Sequence, residues 1–186
     1  MIEGLTGLDR EYAAVEAYAS NLAQAGKFGY ECKALVLNPE IDKTHYHLIY
    51  ATRDPTGVEV FKQAEFKAMK EMNIVRAEVD QRKREERTQQ AELFDAPSVA
   101  GWGHYAELRK FFLDKARLEA WGQISRRTQI VYNNLWANAM RFPVVWESDL
   151  NGWLSQWRNA GKIEVTNLKP SERVPKLAAN HRIRLK

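Results

Sequence analysis

Residues 147–165 read ESDLNGWLSQWRNAGKIEV, and no other stretch constrains the architecture as tightly. Leu150, Trp153, Leu154 and Trp157 recur at i, i+3, i+4 and i+7, which is one apolar stripe of a helix. Ser148 stands where an N-cap is wanted, and Ala160-Gly161 supplies the stop. Lys162-Ile163-Glu164-Val165 then alternates as a strand, and His181–Leu185 (HRIRL) closes the chain with the same alternation. Between them runs TNLKPSERVPKLAAN, basic and rich in turn residues. Upstream, helical spacing predicts a helix over Ser125–Phe142 that ends at Pro143, followed by a short extended piece at Val144-Val145-Trp146.

Helix, extended piece, helix, strand, basic loop and strand is the order of a winged helix-turn-helix. Gly161 turns the second helix into the hairpin of the wing. Only about five residues separate Pro143 from the helix at Ser148, so the middle helix is expected to be very short or replaced by Val144–Trp146. A protein of this kind meets nucleic acid through two sets of side chains. Asn151, Ser155, Gln156, Arg158 and Asn159, on the polar side of the helix, are candidates to face a groove of duplex DNA. Lys162, Lys169, Arg173 and Lys176, with Arg182 and Arg184 nearby, are candidates for phosphates, and Arg126 and Arg127 could add backbone contacts from near a helix N-terminus. The alternative is a winged helix that serves only as a protein-docking scaffold.

The distribution of charge bears on that choice. The 186 residues carry a net charge of only +4. From Lys162 to Lys186, however, seven Lys and Arg face Glu164 and Glu172 alone, so the whole surplus lies in the last 25 residues. Such a segment suits an acidic partner, and it is equally what a solvated basic tail would look like. A single cysteine, Cys32, excludes an internal disulfide framework and any multi-cysteine metal site. No apolar run approaches the roughly 20 residues of a membrane helix, and Met1-Ile2-Glu3-Gly4 does not begin a secretory signal. The expected location is cytoplasmic, with no membrane partner.

The first half predicts an α-β-β-α unit over residues 1–95. Asp9 caps a helix to about Gln24, with Gly26 as its stop; strands follow at Tyr30–Leu37 and Thr44–Thr52, joined by the polar loop Asn38–Lys43. Asp54-Pro55 opens a long helix that meets no breaker before residue 90. Its apolar stripe is Phe61, Ala64, Ala68, Met72, Val75 and Val79, and beyond Val79 it becomes a run of mixed charge suited to solvent. This helix, over 54–90, is the candidate contact for a protein partner or a second copy. Pro97, Ser98, Gly101 and Gly103 mark a linker over 96–104, after which a helix from Tyr105 to Trp121 opens the C-terminal domain, 105–186. The fold class is therefore α+β.

The segment THYHLIYATRDPTGVEVFKQAEFKAM (residues 44–69) resembles the C-terminal part of the three-Cys-motif partner proteins of bacteria and phages. There a strand of this kind and a following "HPxGxEV" segment close a Rossmann-like methyltransferase sheet, and a winged helix follows. Tyr46, Leu48–Thr52, Asp54, Pro55, Gly57 and Glu59–Lys62 carry the likeness. The resemblance implies that residues 1–95 correspond to the end of such a sheet. It also implies that S-adenosylmethionine would bind only if a cofactor-binding half were supplied from elsewhere, since this chain has no glycine-rich first turn. Three readings stand: a nucleic-acid-binding accessory subunit, an incomplete methyltransferase-like enzyme fragment or subunit, and a protein-docking scaffold. No catalytic residue is carried over.

Other chemistry finds little support in the sequence. His45 and His47 share one face of a strand, but two ligands without a third are not a metal site. Cys32, alone in a strand, is expected to be a buried apolar residue rather than a nucleophile. Glu147 and Asp149 suit the positive end of a helix, and Trp153 and Trp157 belong to its core stripe rather than to a base-stacking platform.

Overall fold

A computed structural model describes residues 7–41, 43–88, 103–169, 172–177 and 179–186. Its elements, in chain order, are α1 (Gly7–Gly26), β1 (Tyr30–Leu37), β2 (Thr44–Thr52), α2 (Pro55–Thr88), α3 (Gly103–Ser125), β3 (Ile130–Val131), α4 (Tyr132–Met140), α5 (Glu147–Asn159), β4 (Ile163–Thr166) and β5 (Arg182–Leu185). The class is mixed α+β. Among the described residues no helix is long and apolar enough to cross a membrane.

β1 and β2 pair antiparallel, Tyr30 opposite Thr52 and Val36 opposite Tyr46. Asn38 closes the hairpin through its side-chain carbonyl, which accepts the N–H groups of Glu40 and Ile41 at 2.8 and 3.2 Å. Because strand side chains alternate, the sheet has two distinct faces. Lys33 and His47 point to α1, where they meet Glu16 and Glu11. Tyr50 points to α2, where its ring stacks on Phe61 at 5.0 Å. Asp54 caps α2, its carboxylate accepting the N–H of Thr56 at 2.8 Å. That bond holds the carboxyl below its ordinary value.

The second sheet has the order β3-β5-β4, antiparallel throughout, with Ile130 opposite Ile183 and Ile163 opposite Leu185. α3, α4 and α5 pack on it through Leu108, Phe112, Ile124, Leu135, Leu150, Trp153, Leu154 and Trp157, all buried. This core is continuous with that of the hairpin: Cys32, Leu35, Val58 and Met69 belong to the same cluster. Tyr12 of α1 joins the two through ring contacts with Phe111, Phe112 and Phe142.

Charged groups also join the two halves. Lys62 donates to Glu65 and, at 3.0 Å, to the carbonyl of Phe142, and Glu65 accepts the N–H of Val144 at 2.8 Å. Both side chains are buried, and burial pushes the Glu65 carboxyl up. Val144 needs this support, since its φ of +49° puts a β-branched residue in the left-handed region. A second group, Glu16, Glu31, Lys33 and Arg141, ties α1 and β1 to the end of α4.

Several sequence expectations change here. The helix expected over Ser125–Phe142 is cut to Tyr132–Met140: α3 runs on to Ser125, past the expected end at Trp121, and a turn and β3 intervene before α4. α4 has nine residues where a very short helix or none was expected; Val144 sits in a turn, and Trp146 is extended as expected (φ −117°, ψ 159°) but belongs to no strand. Ser148 lies inside α5; the cap contact is made by the Asp149 carboxylate, which accepts the Trp146 N–H at 2.8 Å. On α2 the buried face is Val58, Lys62, Glu65, Met69, Arg76 and Val79, while Ala64, Ala68 and Val75 are exposed. Gly26 ends α1 without leaving helical φ; Lys27 takes the left-handed position at φ +53°, and Gly26 makes room for the Phe28 ring. Gly103 and His104 belong to α3, and the rest of the expected linker, 96–102, lies outside the described residues.

Candidate nucleic-acid interface

The buried stripe of α5 turns its other side outward. Ser148, Gly152, Gln156 and Asn159 are exposed, and Asn151, Ser155 and Arg158 are half-buried. Two of these are engaged within the chain. The Asn151 amide lies 3.0 Å from the Tyr132 hydroxyl, whose proton goes to Glu147, and Gln156 accepts a hydrogen bond from Arg117 of α3 at 3.1 Å. Arg117 thereby adds a cation to this face that no local sequence signal could assign, because the helical pattern of α3 does not reveal which neighbour each flank meets.

Gly152 is the other residue the sequence reading passed over. It occupies the interior of α5, and a Cβ added there would meet nothing within 4 Å. Glycine in a helix interior costs about 0.5–1 kcal/mol relative to alanine. Among the described residues nothing packs into the space that an alanine there would use. The signal was visible as a lone glycine inside a strong helical pattern.

α5 ends in a Schellman motif: Gly161 at φ +68° donates to the Arg158 carbonyl at 2.9 Å, and Lys162 donates to Trp157 at 2.9 Å. The chain then enters β4, and the sheet register sorts the remaining cations. Lys162 and Arg184 lie at one end of the sheet. Arg126 and Arg127 stand between α3 and β3, and Arg127 lines a cavity with Tyr30, Glu31, Asn134, Asn138 and Arg141, beside α4 and β1. Both arginines occupy the turn after α3, not a helix N-terminus. Lys169, Arg173 and Lys176 belong to the loop at the opposite end, on the order of 10 Å away along four-residue strands. Arg182 and Arg184 share the outer face of the sheet, because Ile183 between them is buried.

Acidic side chains take up part of this charge. Glu164 holds Arg184 across the strands at 2.9 Å. In the loop, Glu172 accepts the Lys169 N–H at 3.1 Å and lies 3.5 Å from the Lys176 ammonium. That backbone hydrogen bond, with Lys176 and His181 adding to it, keeps the Glu172 carboxyl below its ordinary value. Lys162 stands over the Trp121 ring at 5.8 Å. Arg126, Arg127, Arg158, Lys169, Arg173 and Arg182 form no side-chain ion pair among the described residues. The thirteen sequence candidates thus form an α5 face with cations at both ends of the sheet and Arg127 apart beside α4 and β1, rather than one continuous patch.

Catalytic groupings are not brought together. Among the described residues no three His, Cys, Asp or Glu side chains could share a metal. His47 instead meets Glu11 at 2.6 Å, and burial pushes the Cys32 thiol up to about 12, where it is no nucleophile at neutral pH. Glu147 accepts from the Tyr132 hydroxyl at 3.0 Å, and Asp149 pairs with Arg109 at 2.9 Å. Comparison with family models, with curated proteins and with solved structures finds no match for the chain.

Proposed function

We propose that the chain is a nucleic-acid-binding accessory protein whose residues 105–186 act as a winged helix on duplex DNA. The element order α3-β3-α4-α5-β4-β5 and the strand order β3-β5-β4 support this reading. In it α5 is the helix that enters a groove, and the loop between β4 and β5 is the wing. The observation that carries the proposal is the pairing of an outward helix face centred on Gly152 with flanking arginines that have no acidic partner among the described residues. A bare backbone at that position lets a bulky partner approach closely, and the cations give that partner a negative charge. Ser155, Arg158 and Asn159 are the side chains left to read base edges; Arg126, Arg127, Lys169, Arg173 and Arg182 neutralise phosphates.

Residues 1–95 resemble the closing hairpin and helices of a methyltransferase-like sheet. On this reading they act as a platform and not as an enzyme. S-adenosylmethionine alone is then expected to leave the melting temperature of this chain unchanged.

The test is a gel shift with a short duplex at low salt. Binding is expected for the unchanged chain, and it should be lost in an Arg173→Ala/Arg182→Ala variant that melts at the same temperature. Gly152→Leu should also weaken binding while leaving the helix intact. Absence of binding at low salt, or equal binding by all three chains, contradicts the proposal.

A further inference from the structure

The two long edges of the β1–β2 hairpin differ. The outer edge of β1 is occupied: its Lys33 N–H donates to the Arg141 carbonyl at 3.3 Å. Among the described residues no strand pairs with the outer edge of β2. β2 reads THYHLIYAT, nine residues without Asp, Glu, Lys, Arg or Pro. Proteins keep edge strands from pairing with charge, proline or bulges. β2 carries no proline and no Asp, Glu, Lys or Arg, and its one irregularity, the register shift that leaves His45 without an opposite residue, lies at its start, so Tyr46–Thr52 is a regular edge.

Apolar side chains gather on both faces of that edge. On the α2 face, Tyr46 and Leu48 are 52% and 49% exposed. The flank of α2 that bears Phe61 continues at helical spacing through Ala64, Ala68 and Val75, all exposed. On the α1 face, the flank bearing Glu11, which bonds His47, continues at i+7 and i+11 through Tyr18 and Leu22, 63% and 38% exposed. A strand added beside β2 would meet apolar side chains on both of its faces.

We propose that this strand is β2 of a second copy, giving a four-stranded sheet β1-β2-β2-β1 about a twofold axis. An isologous contact sets a patch against itself, which disfavours like charges, and β2 holds no Asp, Glu, Lys or Arg, while its His47 already faces Glu11 of its own chain. The newcomer must also bring helical cover on both faces, or Tyr18, Leu22 and Val75 stay wet. A second copy does so, because its own hairpin carries α1 on one face and α2 on the other. Finally, a two-stranded sheet is marginal, and four strands are not. This inference is independent of the winged-helix reading.

Sedimentation velocity on the purified chain is expected to give a dimer. Leu48→Lys sets two ammonium groups near the axis and should weaken association about a hundredfold or more while far-UV circular dichroism is unchanged. Because Cys32 is buried, cysteines introduced at Tyr46 or Leu48 report pairing directly: at least one should give a disulfide-linked dimer on mild oxidation. Hydrogen exchange on the unmodified chain should show β2 amides that lose protection on dilution. A chain that stays monomeric at high micromolar concentration overturns the proposal, as does a dimer that tolerates Leu48→Lys and forms no cross-link.

Discussion

The two sheets of this molecule are stabilised in opposite ways. The three-stranded sheet β3-β5-β4 rests on apolar packing, with Ile130, Ile163 and Ile183 set against the stripe of α5. The hairpin β1–β2 is also covered on both faces, but buried charge does much of the work of joining it to the rest. Lys62 and Glu65 grip the turn after α4, and Lys33, Glu16, Glu31 and Arg141 lock β1 beside it. Apolar contacts tolerate small shifts, whereas a buried ion pair is specific about its partner and heavily penalised when it loses one. One sheet is therefore robust and the other is selective about its fit.

Single truncations separate the two regimes. Glu65→Ala strands the buried Lys62 ammonium and the Val144 N–H, and should cost about 3–5 kcal/mol in urea unfolding. Leu154→Ala, in the apolar regime, should cost about 2–5 kcal/mol. Their rescues differ. Lys62→Met combined with Glu65→Leu should recover part of the first loss, because the stranded ammonium is gone while the Val144 N–H and the Phe142 carbonyl stay without their partners. If the double variant is as unstable as Glu65→Ala alone, the pair is not what holds the turn.

Acid sharpens the contrast. Burial opposes the charge on Glu16, yet Lys33 and Arg141 hold its carboxyl below the ordinary value of 4.5. A folded-state value below the unfolded one means that the stability Glu16 contributes is fully present above pH 4.5. It is lost as pH falls through the lower, folded value. Unfolding midpoints should therefore drop on acidification from pH 5 downward, and Glu16→Gln should flatten that limb. An unchanged acid limb would remove Glu16 from the account.

A smaller effect lies at two helix ends with the same geometry. α1 and α5 both close in a Schellman motif, but α5 has Gly161 at the left-handed position and α1 has Lys27. Lys27→Gly should raise stability by about 0.5–1 kcal/mol and Gly161→Ala should lower it by about as much. Equal and opposite shifts in melting temperature would establish that backbone strain, not side-chain contact, sets both ends.

The same contrast governs what the sequence revealed. Where apolar periodicity drives folding, the elements were legible: Leu150, Trp153, Leu154 and Trp157 are all buried as their spacing implied. Both strands of the hairpin also stand at their expected bounds. On α2 the stripe held at Phe61, Met72 and Val79 but not at Ala64, Ala68 and Val75, because the inward face also holds Lys62, Glu65 and Arg76, residue types that local pattern assigns to solvent. The break before α4 was invisible for another reason. Thr128-Gln129-Ile130-Val131 contains neither glycine nor proline, and its two-residue strand exists only because β5, some fifty residues later, pairs with it. Of the interface, charge and spacing marked the cations and the α5 face. Which arginines are neutralised, as Arg184 is by Glu164, depends on register and emerged only with the fold.

The salt dependence of duplex binding, followed by fluorescence anisotropy, tests the central reading most directly. Each phosphate contact should steepen the fall of log affinity with log salt by about 0.9. Replacing Arg173 and Arg182 by alanine should then reduce the slope by about 1.8 while Glu164→Ala, which frees Arg184, should not reduce it. Affinity that is indifferent to salt, or a slope unchanged by removing both arginines, would contradict the account.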